Sequence, residues 1–280
     1  MRNITDEMLS EYGEYLISEE KSRATVKKYL CDIGAFGKWL HSVPLTKNAV
    51  ISYKEYLSSK YAPASVNSVL SSLNGFFKYK EWHDLCVKNI KIQRQIFISE
   101  EKELTKGEYA RLLQTARKRK NDRLCLLMQT ICSVGIRISE LRYITAEAVA
   151  GGCARINCKG KCRMVFLPEV LCRMLKSYIK ARKIKSGPVF VTKNGNPLDR
   201  SNVWAEMKKL CFEAGVASGK VFPHNLRHLF ARTYYNATGD IVRLADVLGH
   251  SSINTTRIYT MESGSVHKKQ MRRLGLLLCG

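Results

Sequence analysis

Apolar side chains recur at helical spacing along most of the chain, and only one stretch, 154–168, reads as a pair of strands. That pattern limits the fold class before any single residue is weighed. From Val26, the positions Tyr29, Leu30, Ile33, Phe36 and Leu40 give one buried helical face. Thr46 stands where it caps a helix carrying Val50, Tyr53, Tyr56 and Leu57. Pro63 and Ser65 open another, with Val66, Val69, Leu70, Leu73 and Phe77 on one face. Residues 1–91 therefore read as a helical bundle. The charged segment 92–103 lacks a clear period and reads as a linker.

A second domain is expected over 104–280. Thr105-Lys106-Gly107-Glu108 is a capping-box pattern, followed by Tyr109, Leu112 and Leu113. An apolar helix is expected from about Asp122 to Val134, ending near Gly135. Ala154 to Pro168 reads as two short strands around a Lys159-Gly160-Lys161 turn, with Val165, Phe166 and Leu167 as β-formers. From Glu169 onward helices alternate with loops. The expected class is mainly α: an N-terminal helical bundle, then a mostly helical α+β domain with a small antiparallel sheet.

Charge narrows the partner. Lys and Arg number 47 against 24 Asp and Glu, a formal net charge of +23. An excess of that size favours a polyanion, nucleic acid first and an anionic membrane surface second. Residues 1–97 carry 14 basic and 10 acidic side chains, whereas 98–280 carry 33 and 14. The surplus is spread over many elements, so a folded surface carries it. The cluster Arg117-Lys118-Arg119-Lys120 reads as a solvated helix end. No apolar run approaches the roughly 18 residues of a membrane span, and the first residues lack the apolar core of a signal peptide. A cytoplasmic protein without a membrane partner is expected. Ten cysteines include no CxxC, and Cys153, Cys158 and Cys162 match no standard zinc spacing. Free thiols and no metal are expected.

Four segments of the second domain carry the chemistry. They are Gly135-Ile136-Arg137-Ile138-Ser139-Glu140-Leu141; Lys159 in its hairpin turn; Pro223-His224-Asn225-Leu226-Arg227-His228; and Leu248-Gly249-His250 with Tyr259 nine residues later. In this order and spacing they resemble the tyrosine recombinase (phage integrase) family, in its compact, Xer-like form. The preceding bundle is similar to that family's SAM-like core-DNA-binding domain. Two positions depart from the family's pattern. Val134 stands where Thr often precedes Gly-x-Arg, and Cys158 where Gly often precedes the lysine; neither is a charged participant.

The resemblance implies a role for each matched residue. Arg137 and Arg227 would clamp the scissile phosphate, with Glu140 supporting Arg137. Lys159 would protonate the leaving 5′ oxygen; it is favoured over Lys161 because the family's lysine directly precedes the turn glycine, and Lys161 becomes a candidate phosphate contact. His224 belongs to the His-x-x-Arg pair, His250 contacts the phosphate, and Tyr259 is the nucleophile. Tyr234 and Tyr235, beside Phe230, are expected to pack in a core instead. The implied activity is site-specific cleavage and rejoining of double-stranded DNA through a covalent 3′-phosphotyrosine, with no cofactor, metal or ATP. It further implies a bacterial or phage-encoded protein, a monomer off DNA and a homo-tetramer on two DNA sites. The C-terminal tail, about 262–280, docks either on its own domain or on a neighbouring subunit, and an accessory protein could set direction. Lys27, Lys28, Ser65, Asn67 and Ser68 of the bundle are candidate DNA contacts.

These residue types suit the chemistry on their own terms. Attack on a phosphodiester builds negative charge that preorganised cations stabilise. The planar arginine fork matches two oxygens of one phosphate and stays charged at any working pH. A tyrosine hydroxyl with an ordinary pKa of about 10 needs cationic surroundings to attack near neutrality. Two other readings compete. Arg243 to Asn254 resembles a helix-turn-helix of a non-catalytic DNA-binding regulator, and a type IB topoisomerase would share the catalytic set.

Overall fold

In the first unit, nearly every helix starts on a side chain that closes its opening turn. Thr5 accepts from the Met8 amide before α1 (Asp6–Ser18), Ser22 from Thr25 before α2 (Arg23–Leu40), and Thr46 from Ala49 before α3 (Lys47–Lys60). The last helix, α4 (Pro63–Tyr79), begins with proline at its first position, where the missing N–H costs nothing. The computed structural model describes residues 2–41, 43–92, 100–158, 161–192, 194–259 and 272, and of residues 100, 158 and 161 the backbone only. The chain divides into two compact units, Met1–Arg94 and Gln95–Gly280.

The first unit closes on a core of Ile33, Phe36, Val50, Val66, Leu70, Leu73, Phe76 and Phe77, all fully buried. Two asparagines one heptad apart on α4 brace the segment that leaves it. Asn74 bonds both ways with the backbone of Val87 (2.8 and 3.0 Å), and Asn67 does the same with Ile90 (2.9 and 2.8 Å). Asn67, a candidate DNA contact, thus has its amide bonded to the fold. Lys28, also a candidate DNA contact, is exposed, with its ammonium bonded to Asp32, the Ser72 hydroxyl and the Ser68 carbonyl. Lys27, Ser65 and Ser68 are exposed.

The second unit is built around α6 (Asp122–Val134), buried along most of its length. α5 (Lys106–Lys118) precedes it on the full Thr105–Glu108 capping box. Beyond α6 come α7 (Ala146–Gly151), the hairpin of β1 (Cys153–Cys158) and β2 (Lys161–Phe166), and α8 (Glu169–Ala181). The strands pair antiparallel, with Ile156 opposite Arg163 and Cys158 opposite Lys161. α9 (Arg200–Lys208), α10 (Cys211–Ala214), α11 (Pro223–Thr238), α12 (Ile241–Leu248) and α13 (Ile253–Thr256) follow. α11 packs along α6, and a small separate core joins Ala231, Leu244, Leu248 and Tyr259, with Tyr234 and Tyr235 half-buried against it.

Among the described residues no helix is long and apolar enough to cross a membrane. No group of three or more His, Cys, Asp or Glu stands together there as a metal site. Cys125, Cys172 and Cys211 are buried free thiols. The tail 262–280 lies outside the described residues, apart from Arg272.

Candidate active site

α6 ends on Gly135, whose φ of 67° and missing Cβ are both needed: a Cβ there would stand 2.4 Å from the Phe230 ring. This stop turns the chain so that Arg137 begins a 3-10 turn, Ile138–Tyr143. Glu140, one turn in, folds back beneath it. Its carboxylate accepts from the Arg137 amide (2.7 Å) and the Arg137 guanidinium (3.0 Å). It also accepts two bonds from Arg163 of β2 (3.0 and 2.8 Å). Burial works against a charge at Glu140, yet the bonds from Arg163 and Arg137 outweigh it and hold the carboxyl below its ordinary range.

Arg227 comes from the second turn of α11 and is 1% exposed. Its Nη1 donates to the Gly135 carbonyl (2.6 Å) and its Nη2 to that of Leu248 (2.8 Å). These are the C-terminal ends of α6 and α12, where helix dipoles favour a cation. Nη2 also meets Nε2 of His250 at 2.9 Å. Burial, and then the neighbouring Arg137, pull the Arg227 pKa down to about 10, so it stays charged near neutrality.

The histidines are kept neutral. Burial, with Arg227 and Arg137 nearby, lowers His250 to about 4. His228 falls to about 4 for the same first cause, with His224 and Arg227 adding to it. His224 is lowered by burial and by Arg227, Arg137 and Arg200. Tyr259, 4% exposed, stands between two of them. The His228 ring meets it edge-on at 4.9 Å, and the His250 ring lies nearly parallel at 6.0 Å.

A cleft of about 380 Å³ opens beside this cluster, lined by Arg137, Ser139, Arg200, His224 and Arg227 among others. Its charged lining is three arginines against Asp199, which suits a phosphate. The structure thus brings together Arg137, Glu140, His224, Arg227, His250 and Tyr259. Lys159 and the side chain of Lys161 lie outside the described residues. The bundle residues Lys27, Ser65 and Ser68 belong to the other unit.

Residues 102–265 match the model of the phage integrase family, and residues 9–84 match that of the phage integrase N-terminal SAM-like domain. The chain belongs to the phage integrase family. It is 29% identical to the tyrosine recombinase XerA of Pyrococcus furiosus, over 99% of this chain and 96% of that protein. Among solved structures it is similar to XerH recombinase bound to its difH substrate (TM-score 0.71, 20% identity, covering 92% of this chain and 82% of that one). It is also similar to a lambda integrase tetramer bound to a Holliday junction (TM-score 0.71, 19% identity, 90% and 76% covered). As a tyrosine recombinase it is a site-specific recombination enzyme, and neither competing reading is favoured. The geometry also weighs against the helix-turn-helix reading: α13 has only four residues, and His250 within that segment meets Arg227.

Sequence reasoning missed Arg163 and Thr256. Arg163 had a signal, since it shares the inward face of β2 with buried Val165 and sits opposite fully buried Ile156. A charged side chain at such a position requires a buried partner. Thr256, whose Oγ1 lies 2.9 Å from His250 Nδ1, had none.

Proposed function

We propose that this recombinase cleaves and rejoins double-stranded DNA through Tyr259, with the scissile phosphate held by Arg137 and Arg227. The observation that carries this reading is the convergence of two arginines and three neutral histidines around one buried tyrosine, beside a cation-lined cleft. The phenolic oxygen attacks phosphorus and forms a 3′-phosphotyrosyl bond as the P–O5′ bond breaks. The phenolic proton passes to a neutral imidazole, of which His224 is the exposed one. The departing 5′ oxygen takes a proton from Lys159. Attack by a 5′ hydroxyl of a second strand reverses each step, and one phosphoester replaces another, so no external energy source is required.

DNA is the partner that the charge of residues 98–280 fits, since 33 basic side chains face 14 acidic ones. XerH is solved bound to its difH substrate, and lambda integrase as a tetramer bound to a Holliday junction. By analogy this chain would assemble as a tetramer on two sites, with the tail 262–280 reaching a neighbour. An accessory protein would set direction. A nicked suicide duplex carrying the site that the protein selects from a random-sequence pool tests the core of this reading. A covalent protein–DNA adduct is expected, and none with Tyr259→Phe. An adduct that persists in Tyr259→Phe means another tyrosine attacks; supercoil relaxation without recombinants would instead indicate a topoisomerase.

A further inference from the structure

Glu140 holds two arginines that differ in what they can reach. Arg137 has 39% of its side chain exposed and lines the cleft, whereas Arg163 has 15% exposed and does not. Arg163 grips both carboxylate oxygens with its fork, Nη1 to Oε1 and Nη2 to Oε2. Arg137 gives only Nη1 from its side chain to the same carboxylate. The arrangement leaves the other Arg137 donors for an incoming phosphate.

Charge explains why a second arginine is needed. Arg137 and Glu140 alone form a pair of net charge zero, a poor host for a phosphate diester. With Arg163 present, the three groups carry one net positive charge, and Arg137 is the member at the cleft. The Arg163 stem also lies against Gly249, where a Cβ would stand 2.8 Å from its Cδ and Nη1. From its seat on β2 it therefore touches both the carboxylate under Arg137 and the turn that carries His250. Among the described residues its buried Nε has no hydrogen-bond partner, so the guanidinium is held there by the Glu140 fork and by packing.

We propose that Arg163 is a positioning residue of this recombinase: it neutralises Glu140, so that Arg137 meets the DNA phosphate as an uncancelled cation, and it ties the β1–β2 hairpin to the Gly249–His250 turn. The proposal rests on the reading of Arg137 as a phosphate clamp. It assigns Arg163 no contact with DNA.

The test is the single-turnover rate of adduct formation on the nicked suicide duplex, with DNA affinity and melting temperature measured for every variant. Arg163→Gln is expected to slow adduct formation roughly tenfold or more, with affinity for the duplex little changed. Arg163→Lys, which keeps the charge and loses the fork, falls between. Adding Glu140→Gln to Arg163→Gln removes the uncancelled carboxylate and is expected to recover most of the lost rate. Wild-type rates in Arg163→Gln, or a double variant no faster than Arg163→Gln, overturn the proposal. Should Arg163→Gln fail to fold, the double variant, which buries no unpaired charge, is compared with Arg137→Ala; a double variant equally inactive also overturns it. Normal cleavage by Arg137→Ala would sink the reading of the clamp itself. An inactive Arg137→Ala beside an unimpaired Arg163→Gln would sink this inference alone.

Discussion

Arg227 Nη2 and His250 Nε2 stand 2.9 Å apart, and only one proton arrangement makes that contact a hydrogen bond. Guanidinium nitrogens only donate, so Nε2 must accept. His250, with its pKa lowered to about 4, is neutral and carries its single proton on Nδ1, facing Thr256 Oγ1 at 2.9 Å. Long-range nitrogen–proton NMR of the DNA-free protein should show His250 as the Nδ1–H tautomer. A protonated Nε2 in that spectrum would overturn the assignment.

The same contact sets what His250 contributes. His250→Ala removes one acceptor from a buried guanidinium that keeps its bonds to Gly135 and Leu248. A stability loss of about 1 kcal/mol is expected. On the reading given above, in which His250 contacts the phosphate, the rate of adduct formation should fall by about 10²-fold. Chemical denaturation and single-turnover cleavage measure the two separately. A variant that loses stability and keeps its rate would place His250 in a structural role alone.

Much of the local architecture was legible because its signals lie between near neighbours. The Thr105–Glu108 box, the Thr46 cap and the stop at Gly135 each involve residues within a few positions, and all three stand where the pattern put them. From its spacing alone Glu140 reads as a partner three residues from Arg137, and the resemblance adds only that it supports that arginine. Its two bonds from Arg163 come from a strand that approaches solely through the tertiary fold. Asn67 shows the converse. Its sequence neighbours are small and apolar, and nothing local reveals that the Ile90 backbone uses its amide.

That bracing role has a measurable consequence. Asn67→Ala and Asn74→Ala each leave an amide and a carbonyl of the 87–90 segment without their partner. Each should destabilise the first unit by about 1–3 kcal/mol, the range for abandoned buried polar groups. Hydrogen exchange at the Val87 and Ile90 amides should rise in the matching variant. Unchanged protection would show that the asparagines do not hold this segment.

Neutral histidines make stability depend on acid. His228 and His250 have folded pKa values of about 4, below the ordinary value of 6.5, so the unfolded chain binds more protons between those limits. The stability they contribute is complete above pH 6.5 and is lost progressively as pH falls toward 4. Each shift corresponds to at most about 3–4 kcal/mol, less where solvent reaches the ring. The melting temperature should fall over that window, and His228→Asn should flatten the fall. A variant whose melting temperature falls as steeply as that of the wild type would clear His228 of any part in it.

Gly135 joins the end of α6 to the turn that presents Arg137, and it faces two separate obstacles to replacement. Its φ of 67° disfavours any side chain, and a Cβ would meet Phe230 Cδ1 at 2.4 Å, well inside contact distance. The ring cannot retreat cheaply, because it packs against the small core that holds Leu248 and Tyr259. Gly135→Ala should therefore cost about 2–4 kcal/mol, the sum of a strained backbone and an overpacked contact. Phe230→Leu in the same chain should relieve the second part and leave the first, so the double variant should be more stable than additivity of the two single losses predicts. Strictly additive losses in urea titrations would mean that backbone strain alone accounts for the glycine.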